Sequence, residues 1–264
     1  MFFLIGIEVF YWLGTGTNFG VIMLVSCMVL TFLMQIKRVD LPKSKIVLIS
    51  FFCIIALGIV LVVFMYNMEG RSGGDLDNIS GTEFLALGPS VNIENSTFFV
   101  LLPYRLQVLL LFIFSYLTQG YMFLENIYNI DFHWGAFFGN NPALQSLAQD
   151  FLGFNPEINS YQMQMERLGV DSYVNWHSCY LWLANDFTLV GVPFVVFFIS
   201  KFTSSALIIY RQNKDIISGV IFVVFANMLL FMFANNNYLS SVFYSFMFIF
   251  PFWYFTVYKT KAKL

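Results

Sequence analysis

The residues able to do chemistry are few, and they gather in one stretch of the chain. Positions 67–182 hold Arg71, Arg105 and Arg167 together with both histidines, His133 and His177, and no lysine occurs from Ile46 to Ser200. A guanidinium is planar, permanently charged and able to grip phosphate or carboxylate through two parallel hydrogen bonds, which an ammonium cannot do. Three arginines in an acidic, lysine-free region point to at least one that binds an anionic ligand. The other use of each is an ion pair, Arg71 with Asp75, or Arg167 with Glu166 or Asp171. Histidine exchanges protons near neutral pH. His177 lies in Asn175-Trp-His-Ser178 and His133 in Asp131-Phe-His-Trp134; for each the alternative is a polar interfacial residue hydrogen-bonded among aromatics. Asp186, in Trp182-Leu-Ala-Asn-Asp-Phe187, stands at the start of an apolar run. There it either caps a helix, with Asn185 as the other candidate, or is an ionisable group at membrane depth with a functional use. A turn near Tyr180–Ala184 is expected to bring it toward His177. His177, Asp186 and Glu166 are the candidate proton acceptors. Tyr173, Trp176, Tyr180 and Trp182 form either an interfacial aromatic belt or a platform for sugar rings.

Other chemistries lack their residues. There is no P-loop, no GxGxxG after a strand, no GxSxG and no HExxH, so nucleotide-driven and serine-hydrolase chemistry have no footing. Cys27, Cys53 and Cys179 stand far apart, with no CxxC, which argues against a zinc site or a disulfide framework. A net charge of −2 offers no basic face for nucleic acid.

These residues must be positioned by a membrane protein. The 264 residues are 59% hydrophobic, 20% aromatic and 11% charged, against about 45–50% apolar and about 25% charged in soluble domains. Spans of about 20 apolar residues are expected at Phe19–Ile36, Ile46–Tyr66, Leu183–Phe202, Ile216–Phe233 and Leu239–Val257. The opening run Met1–Leu13 is too short to span and lacks the basic start and cleavage site of a signal peptide. Ten of the thirteen basic residues lie at positions 37–45, 201–214 and 259–263, and twelve of the fifteen acids between Glu69 and Asp186. Basic loops face the cytoplasm, so 67–182 faces outward. Within it Phe98–Phe123 is apolar but interrupted by Pro103, Arg105, Gln107, Thr118 and Gln119, and is expected to be re-entrant or interfacial. The expected fold is therefore an all-α polytopic membrane bundle. Residues 1–66 form about three N-terminal helices, 67–182 the outer segment and 183–264 three C-terminal helices.

Three segments in order resemble the bacterial oligosaccharide repeat-unit polymerases of O-antigen and exopolysaccharide synthesis (Wzy-type). Ser115-Tyr-Leu-Thr-Gln-Gly-Tyr121 is similar to the family's Tyr-Leu-Thr-Gly-type signature. Gly135-Ala-Phe-Phe-Gly-Asn-Asn141 is similar to its glycine-rich stretch, and residues 176–191 to its Thr…Asp-Phe-Gly…Gly pattern. Here Thr188 and Leu189 follow Phe187 where many members have glycine, while Gly191 keeps the later one. The resemblance spans roughly residues 71–202. It implies a multi-pass protein of the bacterial inner membrane that transfers a growing glycan from its polyprenyl-diphosphate carrier to the next lipid-linked repeat unit. No nucleotide sugar and no obligatory metal or other cofactor is implied; a flippase and a chain-length regulator of the same pathway are implied partners. Tyr116, Gln119 and Trp176 join Arg167, Arg71 and Arg105 as candidate substrate contacts. Members are usually longer, with more N-terminal spans, so a short or N-terminally truncated member is expected. The alternatives are ligase-type glycan transfer and a non-catalytic or transport protein of the pathway.

Overall fold

In the computed structural model the described residues are 18–35, 47, 51, 58, 61–66, 101–168, 177–233 and 247–261. Every element among them is helical. They are α1 (Asn18–Gln35), α2 (Tyr104–Glu125), the short α3 (Pro142–Leu147) and α4 (Tyr161–Met165), α5 (Cys179–Asn213), α6 (Ile216–Phe231) and α7 (Met247–Tyr258), which continues through Lys259–Lys261. Most of the expected span Ile46–Tyr66, the start of Leu239–Val257, Arg71 and Trp176 lie outside the described residues.

The chain divides into two units. One comprises Met1–Glu83 with Val91–Leu111, and the other Phe84–Ser90 with Phe112–Leu264. In the first, α1 is an almost wholly apolar helix, and its Ser26 hydroxyl is satisfied by the Met23 carbonyl at 2.9 Å. α2 begins in this unit behind Pro103, whose carbonyl accepts from the Leu106 and Gln107 amides, and runs on into the second.

The second unit carries the candidate site. α2 bends by 44° between Tyr104–Ser115 and Leu117–Asn129, the geometry of a broken span or a re-entrant segment. The Thr118 hydroxyl donates to the Phe114 carbonyl at 2.8 Å just at the bend, a back-bond that bends helices. α5 and α6 form a hairpin. Lys214, in the left-handed region (φ 56°), ends α5, and Asp215 caps α6 by accepting from the Ser218 amide at 2.8 Å. The Trp253 indole of α7 donates to the Ser218 hydroxyl at 2.7 Å, and Phe202 packs edge-on against Phe250, Trp253, Tyr254 and Tyr258.

α5 is longer than the expected Leu183–Phe202 and is broken. As one straight rod its 35 residues would reach roughly 50 Å. Yet the Cys179 amide donates to the Met232 carbonyl at 2.8 Å, and Met232 stands only about 25 Å along α6 from the hairpin turn at 1.5 Å per residue. Residues 189–213 alone cover about 37 Å at that rise. The first turns of α5 therefore fold back at Thr188, whose φ of 57° and ψ of 170° interrupt the helix. Gly191 admits the fold-back, because a Cβ there would lie 2.9 Å from the Phe187 Cβ. Pro193 cannot donate to the Leu189 carbonyl, which loosens the same turn.

Among the described residues Cys179–Asn213 is the one helical stretch long and apolar enough to cross a membrane, by length and composition, despite its break at Thr188, and the bent pair in α2 is a second if it is one span. α6, α7 and the part of α1 from Ile22 are shorter apolar helices. Val190, Phe194, Phe197 and Phe198 of α5 are exposed, whereas Val192, Ala206 and Ile209 are buried.

Thr188 occupies backbone geometry that costs a non-glycine residue about 1–3 kcal/mol. Thr188→Gly is expected to raise stability by about 1 kcal/mol, once the roughly 0.5–1 kcal/mol of added backbone freedom is subtracted. Gly191→Leu is expected to lower it. Thermal unfolding in detergent measures both.

Candidate functional site

Two adjacent side chains in the folded-back part of α5 tie the outer segment together. The Asn185 amide oxygen accepts from the Tyr161 amide at 2.9 Å, and its nitrogen donates to the Gly139 carbonyl and to Gln162 Oε1, each at 2.9 Å. Asp186 Oδ1 accepts from the amides of Phe137 at 3.0 Å and Gly139 at 3.3 Å, while Oδ2 accepts from Asn140 Nδ2 at 2.6 Å. The Gly135 amide donates to the Asn185 carbonyl at 3.1 Å. Both side chains are buried, Asn185 at 1% and Asp186 at 6% exposure.

The loop 135–140 is shaped for this carboxylate. Ala136 and Phe137 both have positive φ, 53° and 67°, and successive residues in turn conformations turn their amides into an anion-binding concavity. Here the anion is the protein's own Asp186. Gly135 and Gly139 are required by contact: a Cβ on Gly135 would lie 2.7 Å from Asp186 Oδ1 and from the Gly139 Cα, and one on Gly139 would lie 2.9 Å from the Asn185 Cβ. Asn141 then caps α3 by accepting from the Ala143 amide at 2.8 Å, and Ser160 caps α4 through the Met163 amide.

These contacts correct two expectations. Residues 180–184 are helical, so no turn there brings Asp186 toward His177. α5 starts at Cys179 with Ser178 at its N-cap, so neither Asn185 nor Asp186 is a cap; both lie inside the helix. His177 and Asp186 are thus separated by more than two helical turns, and each serves its own surroundings.

His177 is 2% exposed and packs on Phe123 of α2 with ring centroids 5.2 Å apart. Neither ring nitrogen has a hydrogen-bond partner among the described residues. Burial lowers its pKa from 6.5 to about 4, so it is a neutral imidazole at pH 7. Beside it Gly120 meets Ser178 and Phe233 so closely that a Cβ would lie 2.9 Å from the Ser178 amide and 2.7 Å from the Phe233 carbonyl.

The remaining candidates fall elsewhere. Glu166 and Arg167 are exposed on the 3-10 turn that follows α4, and no ion pair joins Arg167 to an acid among the described residues. Gln119 is buried, one position from the Gly120 contact. Tyr116 marks the bend of α2. Arg105 is exposed in the first unit and His133 exposed in the second. Sequence reasoning missed Asn140 and Gln162, and saw Asn185 only as a possible helix cap. Their only signal was an Asn-Asn pair after two glycines four apart, and an Asn beside the Asp. No group of three or more His, Cys, Asp or Glu among the described residues is placed to hold a metal ion. The chain matches no family model, no curated protein and no solved structure.

Asp186→Asn sets an amide nitrogen against the Asn140 nitrogen and is expected to destabilise by about 1–3 kcal/mol, as for a buried group left unsatisfied. The exchange Asn140→Asp with Asp186→Asn restores a donor and an acceptor and is expected to recover part of that loss in the same unfolding measurement. His177 makes a second expectation. Its folded pKa lies below the unfolded value, so the unfolded chain binds the extra proton between about pH 4 and pH 6.5. Stability is full above that window and falls as pH drops through it, by an amount on the order of 3 kcal/mol. His177→Leu should lose that dependence in thermal unfolding scans from pH 7 to pH 4.

Proposed function

We propose that the chain is a multi-pass protein of the bacterial inner membrane that joins polyprenyl-diphosphate-linked oligosaccharide repeat units into O-antigen or exopolysaccharide at the membrane's outer face. The observation that carries this reading is a convergence. The three segments that resemble the repeat-unit polymerases interlock: Gly120 of the first touches Ser178 of the third, and Gly135 and Gly139 of the second enclose Asp186 of the third. Thr188 also holds a glycine-type backbone at a position where many members have glycine. The exposed phenylalanines of α5 favour a lipid environment over water.

The chemistry divides among the residues. A polyprenyl diphosphate leaves readily only when its growing charge is neutralised, and a guanidinium aimed at it does so in the transition state. Arg167 is exposed and free of described acids, and α4 beside it hangs from Asn185 through Tyr161. His177 is the candidate proton acceptor, neutral and with no ring-nitrogen partner among the described residues; being 2% exposed and packed on Phe123, it takes this role only where the bound substrate opens that packing. A buried polar group left unpartnered costs stability, and such costs are retained at functional sites. Asp186 has the positioning role, since both of its oxygens are engaged by the glycine loop.

In a strain lacking its own repeat-unit polymerase and supplying the matching lipid-linked unit, the chain is expected to restore a ladder of long glycans. Arg167→Ala should lower polymer yield about 10²–10³-fold, the scale of removing one transition-state donor, and Arg167→Lys should recover it only partly. Single-repeat products with ordinary ligation would rule out polymerisation, and rescue of a ligase-deficient strain would assign ligase-type transfer instead.

A further inference from the structure

Beside the Asn185 knot the second unit has a cavity of about 230 Å³ lined by Gln145, Glu157, Ser160, Gln162 and Trp182, with Pro142 and Met163. We infer that this cavity binds a single neutral sugar ring, with Trp182 as its stacking face and Gln162 and Glu157 as its hydroxyl partners.

The shape sets the size of the guest. Sites for drug-sized ligands run to about 300–1,000 Å³, and this one is smaller, with room for one pyranose and its substituents. The lining sets the chemistry. No lysine or arginine is among these residues, so neither a diphosphate nor an acidic sugar finds a counter-charge. An indole offers an apolar, electron-rich face to the C–H side of a pyranose, and amides and a carboxylate offer hydrogen bonds to its hydroxyls.

Gln162 supplies the most specific observation. Its side chain is 3% exposed. Its Oε1 is fixed by the Asn185 amide at 2.9 Å, which makes the other end of the group the donor. That donor, Nε2, is buried without an acceptor. An amide so placed against a cavity wall gains from a guest bearing a hydroxyl or carbonyl oxygen, because an unmet buried donor costs about 1–3 kcal/mol. Glu157 makes no ion pair among the described residues and stands half-buried at the same wall. Gln145 is held by its own donation to the Gly139 carbonyl at 3.2 Å, so the wall opposite Trp182 is rigid and tied to the loop that grips Asp186. Trp182 lies three and four residues before Asn185 and Asp186, a spacing that puts all three on one side of a helix. The cavity and the knot are therefore built on the same helical turn.

Under the polymerase reading, on which its physiological role rests, the cavity is a subsite for one residue of the repeat unit. The sugar binding itself stands or falls separately. The experiment uses the full chain in detergent, labelled with 5-fluorotryptophan, the Trp182 resonance being assigned by Trp182→Phe. The probes are free neutral monosaccharides, a hexose, a 6-deoxyhexose and an N-acetylhexosamine, with glucuronic acid and inorganic pyrophosphate as comparisons. At least one neutral sugar is expected to shift the Trp182 resonance with a Kd of about millimolar, and the two anions are not. Gln162→Glu keeps an oxygen for Asn185 and exchanges the free donor for a buried carboxyl; it should weaken that binding about tenfold or more, with some loss of unfolding temperature from the carboxyl it buries. A wild-type Trp182 resonance that no neutral sugar moves would overturn the inference whatever the variants do, and so would sugar binding unaltered by Gln162→Glu. Sugar binding without glycan ladders in cells would leave the subsite standing and remove the polymerase reading; ladders without sugar binding would do the reverse.

Discussion

A buried carboxylate with no cation beside it among the described residues is the constraint on which the second unit depends. Asp186 is held by backbone amides and one side-chain amide, and these supply the donors that water would otherwise provide. To reach it, the chain from Gly135 to Asn140 must coil through two left-handed residues and bring two glycines into contact. Its neighbour Asn185 extends the same knot to α4. Neither residue could be replaced by an apolar side chain without leaving amides of the loop unmet. A catalytic acid needs an accessible proton site, and Asp186 has both oxygens engaged; its place in the molecule is that of an anchor.

The fold-back of α5 decides what surrounds the knot. Had the helix run straight, Cys179 would lie far beyond the reach of Met232, and the His177–Ser178 pair would not meet Gly120. The reversal takes place across six residues in which a strained threonine, a glycine that accepts Phe187 and a proline combine. Strain of this kind persists where the surroundings over-determine it, and here contacts at both ends of the folded-back segment do so. The helical segment before that reversal, continuous from Cys179 to Asp186, separates the two residues with the strongest claims to chemistry. His177 ends against Phe123 among apolar neighbours and Asp186 inside the polar loop.

A division of labour follows from the electrostatics. Among the described residues of 112–182 positive charge is presented at the surface by Arg167, whereas the cavity at Trp182 is uncharged apart from Glu157. The exposed guanidinium and the cavity thus have separate places, linked by α4 and the Asn185 hydrogen bonds. His177, kept neutral by burial, lies apart from both charges, so its basicity is set by desolvation rather than by a partner.

The pattern of apolar runs determined the helical class, because in a membrane only helices and closed barrels satisfy their own backbone, and runs of about 20 apolar residues suit helices rather than barrel strands. It also located the apolar run of α6 to within two residues, from unbroken hydropathy and from the basic residues that precede Asp215. The segment around His177 and Asp186 was legible as chemically distinct, since polar residues among aromatics stand out. Their roles were not legible. The capping expectation for Asn185 and Asp186 failed because the helix begins a further two turns upstream, and its true start at Ser178 carries no side-chain cap to betray it. The turn expected at Tyr180–Ala184 instead lies at Thr188, where nothing in the residue's own preference favours a positive φ. Only tertiary structure could decide that, because the conformation is imposed by contacts with residues far along the chain. For the same reason the two glycines at 135 and 139, which sequence showed as part of a glycine-containing stretch without their purpose, become indispensable: what they make room for is a carboxylate 47 residues away from the second of them.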